Sequence, residues 1–234
     1  MKILSLSLCG REKVIENFHA LYAERRHVLM VGPPGIGKTA LLQRLSETCP
    51  MLLCEETTGL RRICDSLEGH LRRQRDKLNV IERKNQLLAC LERRGELVAF
   101  DQVGVTPPRV AHFIGNLAER IPVWIACRSD SRKHIGHVWE HLYKFARVEI
   151  PPLTRGESCA LIEDAVGRGI IQPDARQHVV QLHRISNGIP RVLEQLLLDL
   201  AARKYKINRS VGLNLLELDR RIHEFTRATF DPEQ

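Results

Sequence analysis

Apolar residues along the chain follow two rhythms, and the change comes near residue 151. Before it, short, largely apolar runs at 27–31, 50–54, 97–101 and 121–127 predict strands, and Arg147-Val148-Glu149-Ile150 a last short one. Between them apolar positions recur at helical spacing. Val14, Ile15, Phe18, Leu21 and Tyr22 predict a helix ending near Arg25-Arg26; Val110, Phe113, Ile114 and Leu117 predict one opening at Thr106-Pro107-Pro108. Ile135, Val138, Trp139 and Leu142 predict another, capped by Ser129-Asp130-Ser131. Over 60–94, Ile63, Leu67, Leu71 and Leu78, then Ile81, Leu87, Leu88 and Leu91, mark one buried helical face. After Pro151-Pro152 only helices follow, at roughly 155–167, 173–186, 190–205 and 211–226, the first opened by the capping box Thr154-Arg155-Gly156-Glu157. Strand–helix alternation followed by helices alone predicts an α/β domain over 1–151 and a small helical domain over 152–234.

Between the first strand and the helical run Ala40–Leu45 lies Gly32-Pro33-Pro34-Gly35-Ile36-Gly37-Lys38-Thr39. A glycine-rich loop between strand and helix, closing on Lys-Thr, is a complete P-loop in its required context. Glycines let main-chain N–H groups close around phosphate oxygens, and the helix start that follows adds free N–H groups and the positive end of its dipole. Lys38 is placed to reach the outer phosphates of ATP, and the Thr39 hydroxyl to hold Mg²⁺. Gly32 to Ala40 are therefore the expected nucleotide-binding residues.

Asp101 ends a buried strand, where a carboxylate can serve the same Mg²⁺. Next to it stands Gln102 rather than a glutamate. A glutamine orients a water but cannot take its proton, and losing general-base help costs about 10²–10⁴-fold in rate. Slow hydrolysis follows, with two readings open: a natural slow hydrolase or nucleotide switch, or a trapping replacement of glutamate. Arg128 ends the next strand, in position to sense a terminal phosphate. Arg191, in Gly188-Ile189-Pro190-Arg191, begins a helix of the second domain, where the dipole disfavours a lone cation unless an anion is near. Lys38, Asp101, Gln102, Arg128 and Arg191 are the expected catalytic set, with Arg191 also on the nucleotide.

Hydrophobic content of 43% supplies a core, and the net charge of +8 admits nucleic acid or an acidic protein as partner. The 60–94 segment is strongly basic, either as a solvated helix face or as a surface for double-stranded DNA. Seven cysteines are scattered, without C-x-x-C pairs or zinc spacing, and suit reduced thiols in a cytosol. The apolar start faintly mimics a lipoprotein signal, but its core is short and Leu8 ill suits a cleavage point. No run nears the roughly 18 apolar residues of a spanning helix. A cytoplasmic protein without membrane partners is expected.

With these residues in view, the chain resembles the AAA+ and STAND group of P-loop ATPases over most of its length. The likeness runs from an opening motif at Gly10-Arg11-Glu12, through Walker A at 32–39 and a Walker B strand ending at Asp101. It continues with a sensor 1 strand, Trp124-Ile125-Ala126-Cys127-Arg128-Ser129-Asp130, a lid start at Leu153-Thr154, and a sensor 2 motif at 188–191. The resemblance implies an α/β P-loop parallel sheet in the order 5-1-4-3-2 with a helical lid. It implies ATP·Mg²⁺ as cofactor and homo-oligomers in which a neighbour supplies an arginine, for which Arg132 and Arg147 are candidates. Gln102 departs from the pattern. So does a tail that leaves no room for a C-terminal effector domain. The leading expectation is a DNA-associated oligomeric switch in the manner of transposition-helper and origin-recognition ATPases. The alternative is a STAND-like ATP switch acting on a separate protein partner. A small-molecule kinase is disfavoured, since no acceptor site is visible.

Overall fold

The computed structural model describes residues 10–71, 79–202 and 218. The chain forms two compact units, one spanning 11–151 and the other running from Pro152 onward and taking in Gly10.

The first unit is built on five parallel strands: β1 (Val28–Val31), β2 (Met51–Cys54), β3 (Leu97–Val103), β4 (Val123–Cys127) and β5 (Ala146–Glu149). Their order is β2-β3-β4-β1-β5, the order the resemblance implies read from the other edge. Helices α1 (Glu12–Ala23) and α2 (Lys38–Ser46) cover one face. The other face carries α3 (Leu60–His70), α4 (Val80–Arg94), α5 (Pro108–Ala118), the short α6 (Arg132–Ile135) and a 3₁₀ helix, His137–Lys144. Right-handed crossovers place α2 and the later helices on opposite faces, because β1 to β2 runs one way along the sheet and every later connection runs the other.

Strands β1 to β4 feed both faces in alternation. Val28, Met30, Trp124 and Ala126 join Phe18, Leu41, Leu42 and Leu45, while Leu29, Val31, Ile125 and Cys127 join Ile63, Leu87, Phe113 and Val138. Burial on both sides is why these strands read as unbroken apolar runs. Trp124 anchors α1: Phe18 and Tyr22 meet its ring edge-on at 5.2 and 6.4 Å, and its indole N–H donates to the Arg26 carbonyl at 3.1 Å.

The helical stretch expected over 60–94 is two helices, α3 and α4, and the intervening basic residues 72–78 lie outside the described residues. Asn79 and Glu82 form a capping box at α4. Arg83 locks the pair: it donates to Asp65 at 2.6 Å and is ion-paired with Glu68, which is nearly buried. The helix expected around 131–142 is instead α6 followed by 3₁₀ turns, and Trp139 is about half exposed rather than core. The reason is local. Gly136 is left-handed, and the Thr106 hydroxyl accepts from the Val138 N–H and donates to the Ile135 carbonyl, diverting the backbone from an α-helical path. Ser131 bonds His134 instead of capping the helix N–H groups.

The second unit contains α7 (Arg155–Gly167), a 3₁₀ turn at Pro173–His178, α8 (Val179–Ser186) and α9 (Pro190–Ala201). Leu161, Ile162, Leu182, Leu193 and Leu197 form its core. The capping box at Thr154 and Glu157 is formed. Gly188 is left-handed, and a Cβ there would collide with the Leu153 carbonyl oxygen, so only glycine fits this turn. The segment 211–226, expected to be helical, lies outside the described residues except for Leu218.

Arg83→Ala should leave the Glu68 carboxylate buried without its cation and lower stability by about 3 kcal/mol. A paired Arg83→Met, Glu68→Met variant should recover most of that loss in urea denaturation. Equal loss in both variants would show that the pair does not hold α3 to α4.

Candidate functional site

The loop between β1 and α2 is held at its base and its apex. Gly32 donates to the Cys127 carbonyl of β4 at 3.3 Å, and the Ile150 N–H following β5 donates to Val31 at 2.8 Å. Ile36 is fully buried in the core beneath α1 and α2. With the apex pinned inward, Pro33 and Pro34 are exposed and Gly35 and Gly37 take left-handed conformations, at φ +80° and +100°. Gly37 is the N-cap of α2, and it makes no side-chain cap. The first turn of α2 therefore opens at the loop with its N–H groups unclaimed by a capping side chain. Ala40 is exposed in that turn.

Lys38 folds back over the loop, donating to the Gly32 and Pro33 carbonyls at 2.6 and 3.1 Å. Burial makes its ammonium group release a proton more readily than a free lysine. Cys127 and Asp101 pull the other way, and Arg128 adds to the lowering. Arg128 is thus within electrostatic reach of Lys38 while its side chain is exposed. Thr39 donates to the Asp101 carboxylate at 2.6 Å. Asp101 is fully buried, and its other oxygen accepts from the Gln102 N–H at 2.9 Å. The structure thus brings Lys38, Thr39, Asp101 and Arg128 together at the carboxyl ends of the strands.

β3 continues past Asp101 to Val103, so this carboxylate stands inside the strand rather than at its end. Phe100 pairs with Ile125 and Val103 with Cys127, three steps on β3 against two on β4. The extra residue is a bulge, and Gln102 carries its strain at φ +52°, with its side chain exposed. The buried Thr57 hydroxyl reaches the Gln102 carbonyl at a long 3.5 Å.

Arg191 stands in the second unit as the second residue of α9 and is exposed. It is not a lone cation. Burial raises the pKa of Glu194 above the carboxylate norm, and Arg191 acts in the opposite direction, so the two are electrostatic neighbours. Of the two candidate trans-acting arginines, Arg147 donates to Asp130 at 2.7 Å and Glu149 at 3.0 Å. Arg132 lies over the Trp139 ring, with Glu140 at 3.8 Å.

Two participants escaped the sequence reading. Thr57 follows β2 in a polar loop, with nothing in its surroundings to mark it. Arg11 was visible only as part of Gly10-Arg11-Glu12, yet it is buried and donates to the Pro151 carbonyl at 2.7 Å and the Ile36 carbonyl at 3.4 Å.

The family described as magnesium chelatase, subunit ChlI, matches residues 6–83. No curated protein matches the sequence. Among solved structures, Cdc6p from Pyrobaculum aerophilum is similar with a TM-score of 0.62 at 18% identity, over 86% of this chain and 62% of that one. The Aeropyrum pernix ORC1 protein, in complex with DNA, gives 0.61 at 17% identity, over 95% of this chain and 69% of that one. A Walker-type ATPase of Pyrococcus abyssi gives 0.62 at 15% identity, over 97% of this chain and 78% of that one. The chain spans 62% of the length of the Cdc6p structure it matches. Its fold is the one shared by the Cdc6p and ORC1 structures.

A left-handed residue with a side chain costs roughly 1–2 kcal/mol, part of which glycine gives back in the unfolded chain. Gln102→Gly should therefore raise stability by about 0.5–1 kcal/mol in urea denaturation. A loss of stability would mean that the bulge is not strained.

Proposed function

We propose that the chain binds ATP with Mg²⁺ in the 32–40 loop and acts as a nucleotide-dependent, DNA-associated oligomeric switch with slow hydrolysis, comparable to a transposition helper. The Thr39–Asp101 pair beside Lys38 carries this reading. The residues fit the group. A hydroxyl and a carboxylate are hard oxygen donors of the kind Mg²⁺ takes, and that ion commonly relies on one or two side chains plus phosphate oxygens. Left-handed glycines open the loop for phosphates. When bound, the ion would neutralise charge on the outer phosphates.

The chain's own residues divide the work. The loop amides and Lys38 hold the phosphates, Thr39 and Asp101 hold the ion, and Arg128 and Arg191 answer charge at the far phosphate. Gln102 orients a water without accepting its proton. Arg132, less engaged than Arg147, is the better arginine to serve a neighbouring subunit. The ORC1 structure in complex with DNA supports the DNA reading. We further propose that 1–151 and 152–234 are an ATPase domain and its lid, and that the protein works in the cytoplasm; no helix among the described residues is long and apolar enough to cross a membrane.

One observation favours a second reading, a switch acting on a protein partner. Arg62, Arg83 and Arg94 of the basic segment are paired with Glu56, with Asp65 and Glu68, and with Glu96. Intramolecular pairing leaves less of that charge for phosphates.

Sedimentation with and without ATP·Mg²⁺, each with and without duplex DNA, separates the two. Assembly with ATP, and further assembly on DNA that weakens steeply between about 50 and 200 mM salt, is expected. ATP-dependent assembly that ignores DNA would favour the protein partner, and a monomer in all four conditions would sink both. Separately, Gln102→Glu restores a proton acceptor and should raise steady-state ATP hydrolysis by about 10²-fold. An unchanged rate would remove Gln102 as the cause of slow turnover.

A further inference from the structure

An arginine that is only 3% exposed demands an explanation, because a buried cation is costly unless its donors are satisfied. Arg11 directs two donors at main-chain carbonyls far apart in sequence, Ile36 at the apex of the phosphate loop and Pro151 at the last position of the α/β unit. Its own carbonyl accepts from the Ile15 N–H, so its backbone is fixed by the first turn of α1, and α1 is fixed to the sheet through Phe18 and Trp124. The guanidinium is thus a rigid, anchored fork with one prong on the loop and one on the segment leading to Pro152. Next to its two partners, Ile36 and Ile150 are packed in the same core, and Gly32 lies against both: a Cβ there would sit 3.0 Å from Ile36 and 3.5 Å from the Ile150 carbonyl. Displacement of the loop apex is therefore felt at 150–151 through both packing and the fork.

We propose that Arg11 is a positioning residue that couples occupancy of the phosphate loop to the chain segment joining the two units. This rests on the reading that the loop holds a nucleotide. Filling the loop fixes the Ile36 carbonyl, which fixes one prong of Arg11, and the planar fork transmits that order to Pro151. Lysine cannot replace it, because a single ammonium on a flexible stem keeps the charge but does not span two fixed carbonyls in the same way. The nearby positive charge also favours an anion in the loop, an effect that a lysine substitution would retain.

Amide hydrogen exchange on the full chain, with and without ATP·Mg²⁺, tests this in the unsubstituted protein, Arg11→Lys and Arg11→Ala. The unsubstituted chain should show ATP-dependent protection at both 32–37 and 153–154 (Pro151 and Pro152 lack amide hydrogens, so Leu153 and Thr154 report). Arg11→Lys should still gain protection at 32–37, with nucleotide binding weakened about tenfold, but lose most of the ATP-dependent gain at 153–154. Arg11→Ala should lose both gains, and if it does not fold the lysine variant alone decides. A merely structural arginine would lower stability in Arg11→Lys while leaving the ATP-dependent gain at 153–154 intact, and that result overturns the coupling. Absence of any ATP-dependent protection in the unsubstituted chain would instead remove the nucleotide reading itself.

Discussion

A loop can present its main-chain amides outward only if something else holds it in place. Here the restraint is the burial of Ile36 in the core beneath α1 and α2. With the apex side chain turned inward, the flanking backbone must turn sharply, and Gly35 and Gly37 supply the left-handed conformations. The base is gripped on both sides because β1 is central: β4 accepts from Gly32 and the end of β5 donates to Val31. A strand at the edge of the sheet would have offered only one grip. The central place of β1, the glycines and one buried isoleucine are thus a single solution to one constraint.

The sheet order sets a problem that α2 solves. β4 lies between β1 and β3, so the Asp101 strand does not neighbour the loop strand. Alternation turns Leu97 and Ala99 toward the α1–α2 face, and Asp101 shares their parity. Helix α2 crosses that face on its way to β2, which brings Thr39 over the β3 carboxylate at 2.6 Å. Immediately after, the bulge at Gln102 reverses the parity, so Phe100 and Val103 both face the opposite core. One extra residue lets Asp101 face the hydroxyl while the strand end still seals the other layer. The strain sits on the residue where the sequence departs from the expected glutamate.

The strands, the loop and the helical character of the second unit were legible because their signals are local. Doubly buried strands read as apolar runs, and a P-loop declares itself in eight residues. Less legible were features made by distant partners. The bulge at Gln102 has no local signal, because the left-handed position is not a glycine and its cause is the pairing with β4. The 3₁₀ path of His137–Lys144 depends on the Thr106 hydroxyl, some thirty residues earlier in the chain. The exposure of Trp139 follows from that path, whereas apolar spacing alone counted it as core. The charge of the 60–94 segment was countable, but its pairing was not, since Arg83 finds Asp65 and Glu68 only after α3 and α4 pack.

The electrostatics of the site also argue for what must arrive together. A phosphate group alone would meet Lys38, the loop amides and the start of α2, all favourable, but also the buried Asp101 carboxylate nearby. Like charges in a site shielded from water repel strongly. On the proposed reading, Thr39 and Asp101 would hold Mg²⁺, whose charge would offset that repulsion. The pairing of Thr39 with Asp101 keeps both oxygens oriented meanwhile, so neither is left buried and unsatisfied. On the proposed reading, metal and nucleotide binding are coupled by the placement of one buried carboxylate beside an anion-binding loop.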